Sequence, residues 1–323
     1  MDKLGPILFF TDLHIDVKNV STRKITLWDE MSVGLEWIAE KAKSINARAV
    51  LFGGDLTDNC DWKTSDTYKL TKLLKSFGDI PILSAIGNHD VPGSNLSMVP
   101  FTPFGIAAQS ARVITTHTDS TPAGITHLTY GLYDIDNSNY MIGLVNWGEK
   151  DKMFELFSNL YKGTKFGGKK LVVSIHLNIG DEPHPHVIDW KELDIPLCVD
   201  YLFAGDIHKG FPIGVAKNGK TICGNPGAVC RKTIQEAFNK PGIFLLYEEG
   251  KVEWEEIPLP QPEAIFNLEA KKEQLAFKNT FKAGLEAAKQ AKSVDPIALI
   301  KEVATESGFS MESQTLLIER LKK

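Results

Sequence analysis

The sequence predicts an α/β fold in which two sheets pack together with helices on the outside. Three observations carry this. Hydrophobic residues make up 43% of the 323 residues and charged residues 24%, enough apolar surface for a sizeable core. Short apolar, β-rich runs alternate with helical patterns through the first third of the chain. Beyond about Ile106 the helical rhythm weakens and strand-like runs dominate.

In chain order, residues 7–11 read as a buried first strand. Over residues 31–42 the apolar positions Met31, Leu35, Ile38 and Ala42 recur at steps of four, three and four, one face of a helix. Residues 49–53 form the next strand. A helix around residues 68–77 follows, with Leu70, Leu73 and Leu74 on its apolar side, and residues 82–86 form a third strand. Further strands are expected at 140–145, 171–176, 201–204, 221–223, 243–247 and 252–257. The last two are joined by Glu248-Glu249-Gly250-Lys251 as a hairpin. Trp147, Trp190 and Trp254 are expected in the core.

Prolines at 258, 260 and 262 mark a linker, dividing the chain into a domain over 1–260 and a C-terminal helical segment over 261–323. In that segment Phe277, Phe281, Leu285 and Ala288 form an apolar stripe among lysines. Pro296 opens a short helix, and Leu316, Leu317 and Leu321 belong to a last one. So small a piece cannot hold a core alone and is expected to dock on the main domain or on a partner.

No apolar run approaches the roughly 20 residues that span a bilayer, and the N-terminus lacks the apolar stretch of a signal peptide. Cys60, Cys198, Cys223 and Cys230 are scattered without any C-x-x-C pair, so neither a disulfide framework nor a zinc ribbon is indicated. These features predict a cytoplasmic protein with no membrane partner. A net charge of −5 excludes a broadly basic, nucleic-acid-coating surface but not a local basic groove.

Five segments place metal-ligating side chains at the ends of predicted strands: Asp12-Leu13-His14, Gly54-Asp55, Gly87-Asn88-His89-Asp90, His176 and Gly205-Asp206-Ile207-His208. In an α/β sheet the loops at carboxyl ends of strands converge on one edge, so distant segments meet there. Asp, Asn and His together suit Mn²⁺, Fe or Zn²⁺ better than Ca²⁺. The donors outnumber what one ion needs but fit two ions about 3.5–4 Å apart.

The ordered set D-x-H, G-D, G-N-H-D, H and G-x-x-H resembles the calcineurin-like metallophosphoesterase superfamily over roughly residues 7–257. The resemblance implies a four-layer αββα sandwich of two mixed sheets flanked by helices. It implies two divalent metal ions as cofactors, Mn²⁺ first, with Mg²⁺, Fe or Zn²⁺ as alternatives. Asp12, His14 and His208 would hold the first ion, Asp55 would bridge, and Asn88 and His176 would hold the second. His89 would act as general acid, with Asp90 orienting its ring, while a metal-bridging hydroxide attacks phosphorus. Where the family closes with G-H-x-H this chain has Asp206. A carboxylate there can serve the second ion and favours harder ions such as Mn²⁺ or Mg²⁺.

Within the superfamily, the motif spacings and the segment from Gly224 to Glu236 resemble the SbcD-type DNA repair nucleases. This implies an exonuclease and endonuclease acting on DNA, partnered through C-terminal helices by an SbcC-type coiled-coil ATPase. A second copy of the chain is a further candidate partner. Basic residues Lys209, Lys217, Lys220, Arg231, Lys232 and Lys240 outnumber the acidic Glu236 between His208 and Lys240. Lys209, Arg231, His184 and His186 are candidate substrate contacts. Two alternatives stand beside the nuclease: a small-molecule or nucleotide phosphodiesterase or phosphatase, and a non-catalytic scaffold for the ATPase.

Overall fold

Strand β1 (Ile7–Phe10) is apolar on both faces, and its alternation sets the layering of the molecule. The chain continues through α1 (Leu27–Ser44), β2 (Ala49–Phe52), α2 (Thr64–Lys75), β3 (Ile82–Ser84), α3 (Pro103–Ser110), β4 (Ile125–Thr129), β5 (Leu132–Ile135) and β6 (Tyr140–Val145). Then come α4 (Lys150–Thr164), β7 (Lys170–His176), β8 (Ile179–Gly180), β9 (Ile188–Asp189), β10 (Val199–Gly205), β11 (Phe211–Val215) and β12 (Ile222–Asn225). The hairpin β13 (Gly242–Leu246) and β14 (Val252–Glu256) leads to the short α5 (Pro262–Ile265). The structure is a computed structural model that describes residues 5–16, 22–60, 62–118, 121–181 and 186–269.

One sheet runs β14-β13-β1-β2-β3 and the other β11-β12-β10-β7-β6-β5-β4, with β8 and β9 as a separate pair. Both sheets are mixed: β1, β2 and β3 are parallel, as are β6, β7, β10 and β12, and antiparallel pairs close every edge except that of β3. Leu8 and Phe10 turn outward to pack with Leu35, Ile38 and Leu70 of the helices. Ile7 and Phe9 turn inward to meet Tyr140, Ile142 and Phe203 of the facing sheet. Phe203 lies 5.3 Å from Phe9 and 5.4 Å from Phe244, ring centre to ring centre. Burying each such ring contributes about 1.5–3 kcal/mol of transfer free energy. On the far face Met141, Val145 and Val173 pack with Met153, Phe154 and Phe157 of α4. The layers are therefore helices, sheet, sheet, helix.

Thr26 and Asp29 form a reciprocal capping box at the start of α1, and Lys41 and Lys43 complement the dipole in its last turn. The cap lengthens α1 beyond the predicted 31–42. Strands dominate after Ile106 as predicted, but the sequence reading missed α4, whose Met153, Phe154 and Phe157 recur at helical spacing and cover the second sheet. Trp190 is buried and stacks on Phe211. Trp254, expected in the core, is 43% exposed, because β14 is an edge strand. Its ring covers the space where Gly242 lacks a side chain, and its Nε1–H donates to Pro226 O at 3.2 Å.

The helices expected beyond residue 269 lie outside the described residues. Among the described residues, no helix is long and apolar enough to cross a membrane.

Candidate metal centre

Parallel strands place the five predicted segments at one edge, and backbone hydrogen bonds knit them together. The loop after β1 bonds to the loop after β2: Asp12 N–H donates to Gly54 O at 3.1 Å and His14 N–H to Asp55 O at 2.9 Å. Asp206 N–H donates to both carboxylate oxygens of Asp12 at 3.0 Å, joining the two sheets. Four candidate ligands have left-handed backbones: Asp12 (φ 54°), His14 (44°), Asp55 (57°) and Asp206 (94°). Such conformations cost on the order of 1–3 kcal/mol each and persist only where the surroundings fix them. The motif glycines are set by close approach. A Cβ on Gly87 would lie 1.9 Å from Asp55 Oδ1, and one on Gly205 2.1 Å from Thr11 Oγ1.

The donor atoms of the expected ligands form two overlapping groups, and His14 also belongs to a third with Asp58 and His89. Asp12, His14 and His208 present ligand atoms within 4.8 Å of one another, and so do Asp12, Asp55 and His176. Asp55 Oδ2 lies 3.4 Å from His14 Nε2 and 3.3 Å from His176 Nε2, so its carboxylate stands between the groups. Asn88 Oδ1 is 3.1 Å and Asp206 Oδ1 3.8 Å from His176 Nε2.

Each of the three histidines has its Nδ1 engaged: His14 with Asp58 Oδ1 (3.2 Å), His208 with Glu236 Oε1 (2.9 Å) and His176 with Gly53 O (2.8 Å). Every acceptor is an oxygen, so Nδ1 carries the hydrogen and Nε2 is turned to the carboxylates. This is how histidine ligands are oriented around metals. Asp206 Oδ2 is buried with no hydrogen-bond partner among the described residues, a costly arrangement for a lone carboxylate oxygen. The donor set fits two divalent cations.

Electrostatics agree. Burial works against ionising Asp55, but His176, His14 and the His89 amide outweigh it and hold its carboxyl at about 2. Burial likewise opposes the charge on Asp58, yet His14 and Lys232 hold it well below the usual carboxylate range. Burial would lower His176, but the Asp55 carboxylate raises it to about 10. Burial raises Asp206 to about 6, with the His176 charge pulling down and those of Asp12 and Asp55 adding to the rise. Without a cation, negative charge accumulates here unless protons replace it.

The structure corrects two expectations. Asp90 does not orient His89. Its fully buried carboxylate accepts from the Asp55, Gly87 and Thr57 amides at 3.0 Å and from Thr57 Oγ1 at 3.2 Å, so it clasps two loops together. The His89 ring is held instead by Asp58, whose carbonyl accepts from Nδ1 at 2.7 Å. Nor is Arg231 a substrate contact. It is buried, with Nε on Glu30 Oε1 at 2.9 Å, Nη2 on Pro260 O at 2.6 Å and Nη1 on Ala237 O at 3.4 Å. Glu30 also binds Arg23, making one buried ionic cluster.

Lys209 and His186 are exposed and line a cavity of about 570 Å³ beside Ile207, with Asn178, Gly180, Asp181 and Val187. His184 lies outside the described residues. A second recess, about 580 Å³, opens at Asp58, Asn59, Cys60, Asn88 and His89. Trp147 sets its ring edge-on, 6.0 Å from His176. Sequence reasoning gave no role to Asp58, although it stands three residues after Asp55, and met Glu236 as the end of a resembling segment and the acidic residue of a basic stretch, not as the partner of His208.

A fold of two facing mixed sheets with this donor cluster at the strand ends defines a metal-dependent esterase architecture. Residues 5–210 match the family described as calcineurin-like phosphoesterase, and the chain belongs to that family of metallophosphoesterases, hydrolases that use divalent metals. Among solved structures, a dimetal phosphatase from Danio rerio is similar at 12% identity and a TM-score of 0.49, over 79% of this chain and 99% of that one. A protein from Staphylococcus aureus, provisionally named a 5′-nucleotidase and solved with α-ketoglutarate, is similar at 12% identity and a TM-score of 0.44. That match covers 79% of this chain and 53% of the other, so the chain spans about half the length of that protein. No curated protein matches the sequence.

Proposed function

We propose that this hydrolase cleaves a small phosphodiester or nucleotide phosphate at a centre of two divalent cations, Mn²⁺ being the first choice for its mixed nitrogen and oxygen donors. The observation that carries the centre is the convergence of three oriented Nε2 atoms on the Asp12, Asp55 and Asp206 carboxylates. Asp12, His14 and His208 would hold one cation, Asn88, His176 and Asp206 the other, with Asp55 between them. Such a pair, when bound, polarises phosphoryl oxygens and makes water more acidic.

The chain's own groups supply the rest. Asp58, held ionised by His14 and Lys232, fixes the His14 ring through its carboxylate and the His89 ring through its carbonyl. With Nδ1–H spent on that carbonyl, His89 is left with Nε2 to carry a proton to the departing oxygen. A general acid so placed contributes roughly 10² to 10⁴-fold.

Charge placement favours a small substrate. Of the basic residues expected to grip DNA, Lys217 pairs with Glu192 at 2.8 Å, Lys220 with Asp200 at 3.0 Å and Lys240 with Glu256 at 3.6 Å. Lys232 pairs with Asp58 and Arg231 with Glu30. Each exposed pair is weak, but together they cancel the unneutralised field that phosphate-backbone binding exploits. The recesses of about 570 and 580 Å³ beside the site suit a small molecule.

The second reading is the SbcD-like DNA nuclease with an SbcC-type ATPase partner. One observation favours it: the resembling segment from Gly224 to Glu236 reaches the centre through Glu236. Mn²⁺-loaded protein assayed on bis(p-nitrophenyl) phosphate, nucleoside monophosphates, and single- and double-stranded DNA separates the two. Hydrolysis of the small esters with DNA left intact is expected. DNA degradation with comparable kcat/KM would establish the nuclease, and hydrolysis of neither would leave the scaffold.

A further inference from the structure

The chain does not leave the domain at its proline linker. Ile265 and Phe266 are fully buried against Ile234 and Ala237, with Ile25 and Leu268 at the margin. Backbone bonds fasten this contact: Lys24 N–H donates to Ile265 O at 2.6 Å and Asn267 N–H to Thr22 O at 3.0 Å. The Arg23 guanidinium lies over the Phe266 ring, 4.9 Å from its centre, and its Nη1 binds Arg231 O.

Ile234 and Ala237 bracket Glu236, which closes a single 3₁₀ turn (Ile234–Glu236). The two oxygens of Glu236 are divided between duties. Oε2 accepts from Thr233 N–H at 3.1 Å and locks the turn, whereas Oε1 accepts from His208 Nδ1 at 2.9 Å. Wherever the turn sits, the partner of His208 sits with it. The apolar side of that turn is covered by Ile265 and Phe266.

We propose that Phe266 is a positioning residue for the metal centre. Residues 262–268 act as a strap that holds the Ile234–Glu236 turn, and through Glu236 they fix the tautomer and ring orientation of His208. The link to metal rests on His208 being a ligand of the first cation. The contact chain runs Phe266, Ile234, Glu236, His208, and it bypasses His176, whose Nδ1 is held by Gly53 O from another loop.

The test uses the full chain, ¹⁵N-labelled at histidine and stripped of metal with a chelator. In Phe266→Ala the hydrogen-bonded Nδ1–H signal of His208 is expected to broaden or vanish while that of His176 persists, and Phe266→Leu should restore it. Phe166→Ala, which opens a cavity in the remote core under α4, should leave both signals in place. On Mn²⁺ titration of the same samples, one of two sites should weaken by about 10- to 100-fold, the usual cost of losing a ligand's outer support. If Phe266→Ala does not fold, Ile265→Val is read by the same signals. An unchanged His208 signal, or equal loss at His208 and His176, overturns the strap. If the His208 signal responds as expected but the unmutated protein takes up no Mn²⁺, the metal assignment fails and the strap stands.

Discussion

His14 and His208 face each other through their Nε2 atoms at 2.8 Å, and both rings have already committed Nδ1–H, to Asp58 and Glu236. Two unprotonated ring nitrogens at that distance repel, so a proton or a cation must sit between them. With His176 raised to about 10 by Asp55 against the pull of burial, the metal-free centre stores protons. Metal uptake is therefore expected to release protons and to tighten as pH rises through the neutral range. Calorimetric titration in two buffers of different ionisation enthalpy checks this. Heats that do not depend on the buffer would contradict it.

The same proton makes the metal-free fold sensitive to alkali. His176 binds its proton more tightly in the folded chain (about 10) than at its ordinary value of 6.5. Its contribution to stability is then fully present below pH 6.5 and fades as pH climbs through about 10. The melting temperature of chelator-treated protein should fall across that window, and His176→Asn should flatten the fall. A melting temperature that rises over the same range would reverse the assignment.

Asp90 gives a separate prediction because its role is structural. Burial and the Asp55 charge push its carboxyl up to about 7, yet it accepts from three amides and a hydroxyl. Asp90→Asn turns one acceptor into a donor against those N–H groups. Leaving them unpaired costs about 1–3 kcal/mol, and the Asp55 loop should loosen, lowering metal affinity. Urea unfolding together with metal titration reads both effects. A variant of normal stability that loses only turnover would return Asp90 to a catalytic role.

Arg231 is likewise predicted to matter for folding. Arg231→Ala leaves Glu30 buried with Arg23 as its remaining cation, and breaking such a pair typically costs about 3–5 kcal/mol. Denaturant unfolding should show a loss of this size. A fully stable variant with a raised KM would mean that the guanidinium reaches substrate after all.

Local signals explain why so much of the architecture was legible. The strands at 7–10, 49–52, 140–145 and 170–176 are buried on nearly every residue because both faces are covered, and Asp12, Asp55 and His176 stand at or just past the ends of three of them. Helix α4 escaped notice because its Met153, Phe154 and Phe157 lie between strand-like runs that suggested continued β structure. The hairpin of β4 and β5 escaped because Thr126, His127 and Leu128 are exposed, so no apolar alternation marks it. What the sequence could not show were the partners of the ligands. Asp58 meets His14 across 44 residues, and Glu236 meets His208 across 28. Nothing local distinguishes Asp58 from Asp90 as the support of His89. The difference lies in which loop turns its carboxylate towards backbone amides.

Metal content, measured by elemental analysis of purified protein together with anomalous scattering from its crystals, tests the account most directly. The prediction is two divalent ions per chain, about 3.5–4 Å apart on either side of the Asp55 carboxylate, with both reduced in Asp55→Asn. A chain that binds no ion, or binds one at a place that Asp55 does not touch, would contradict it.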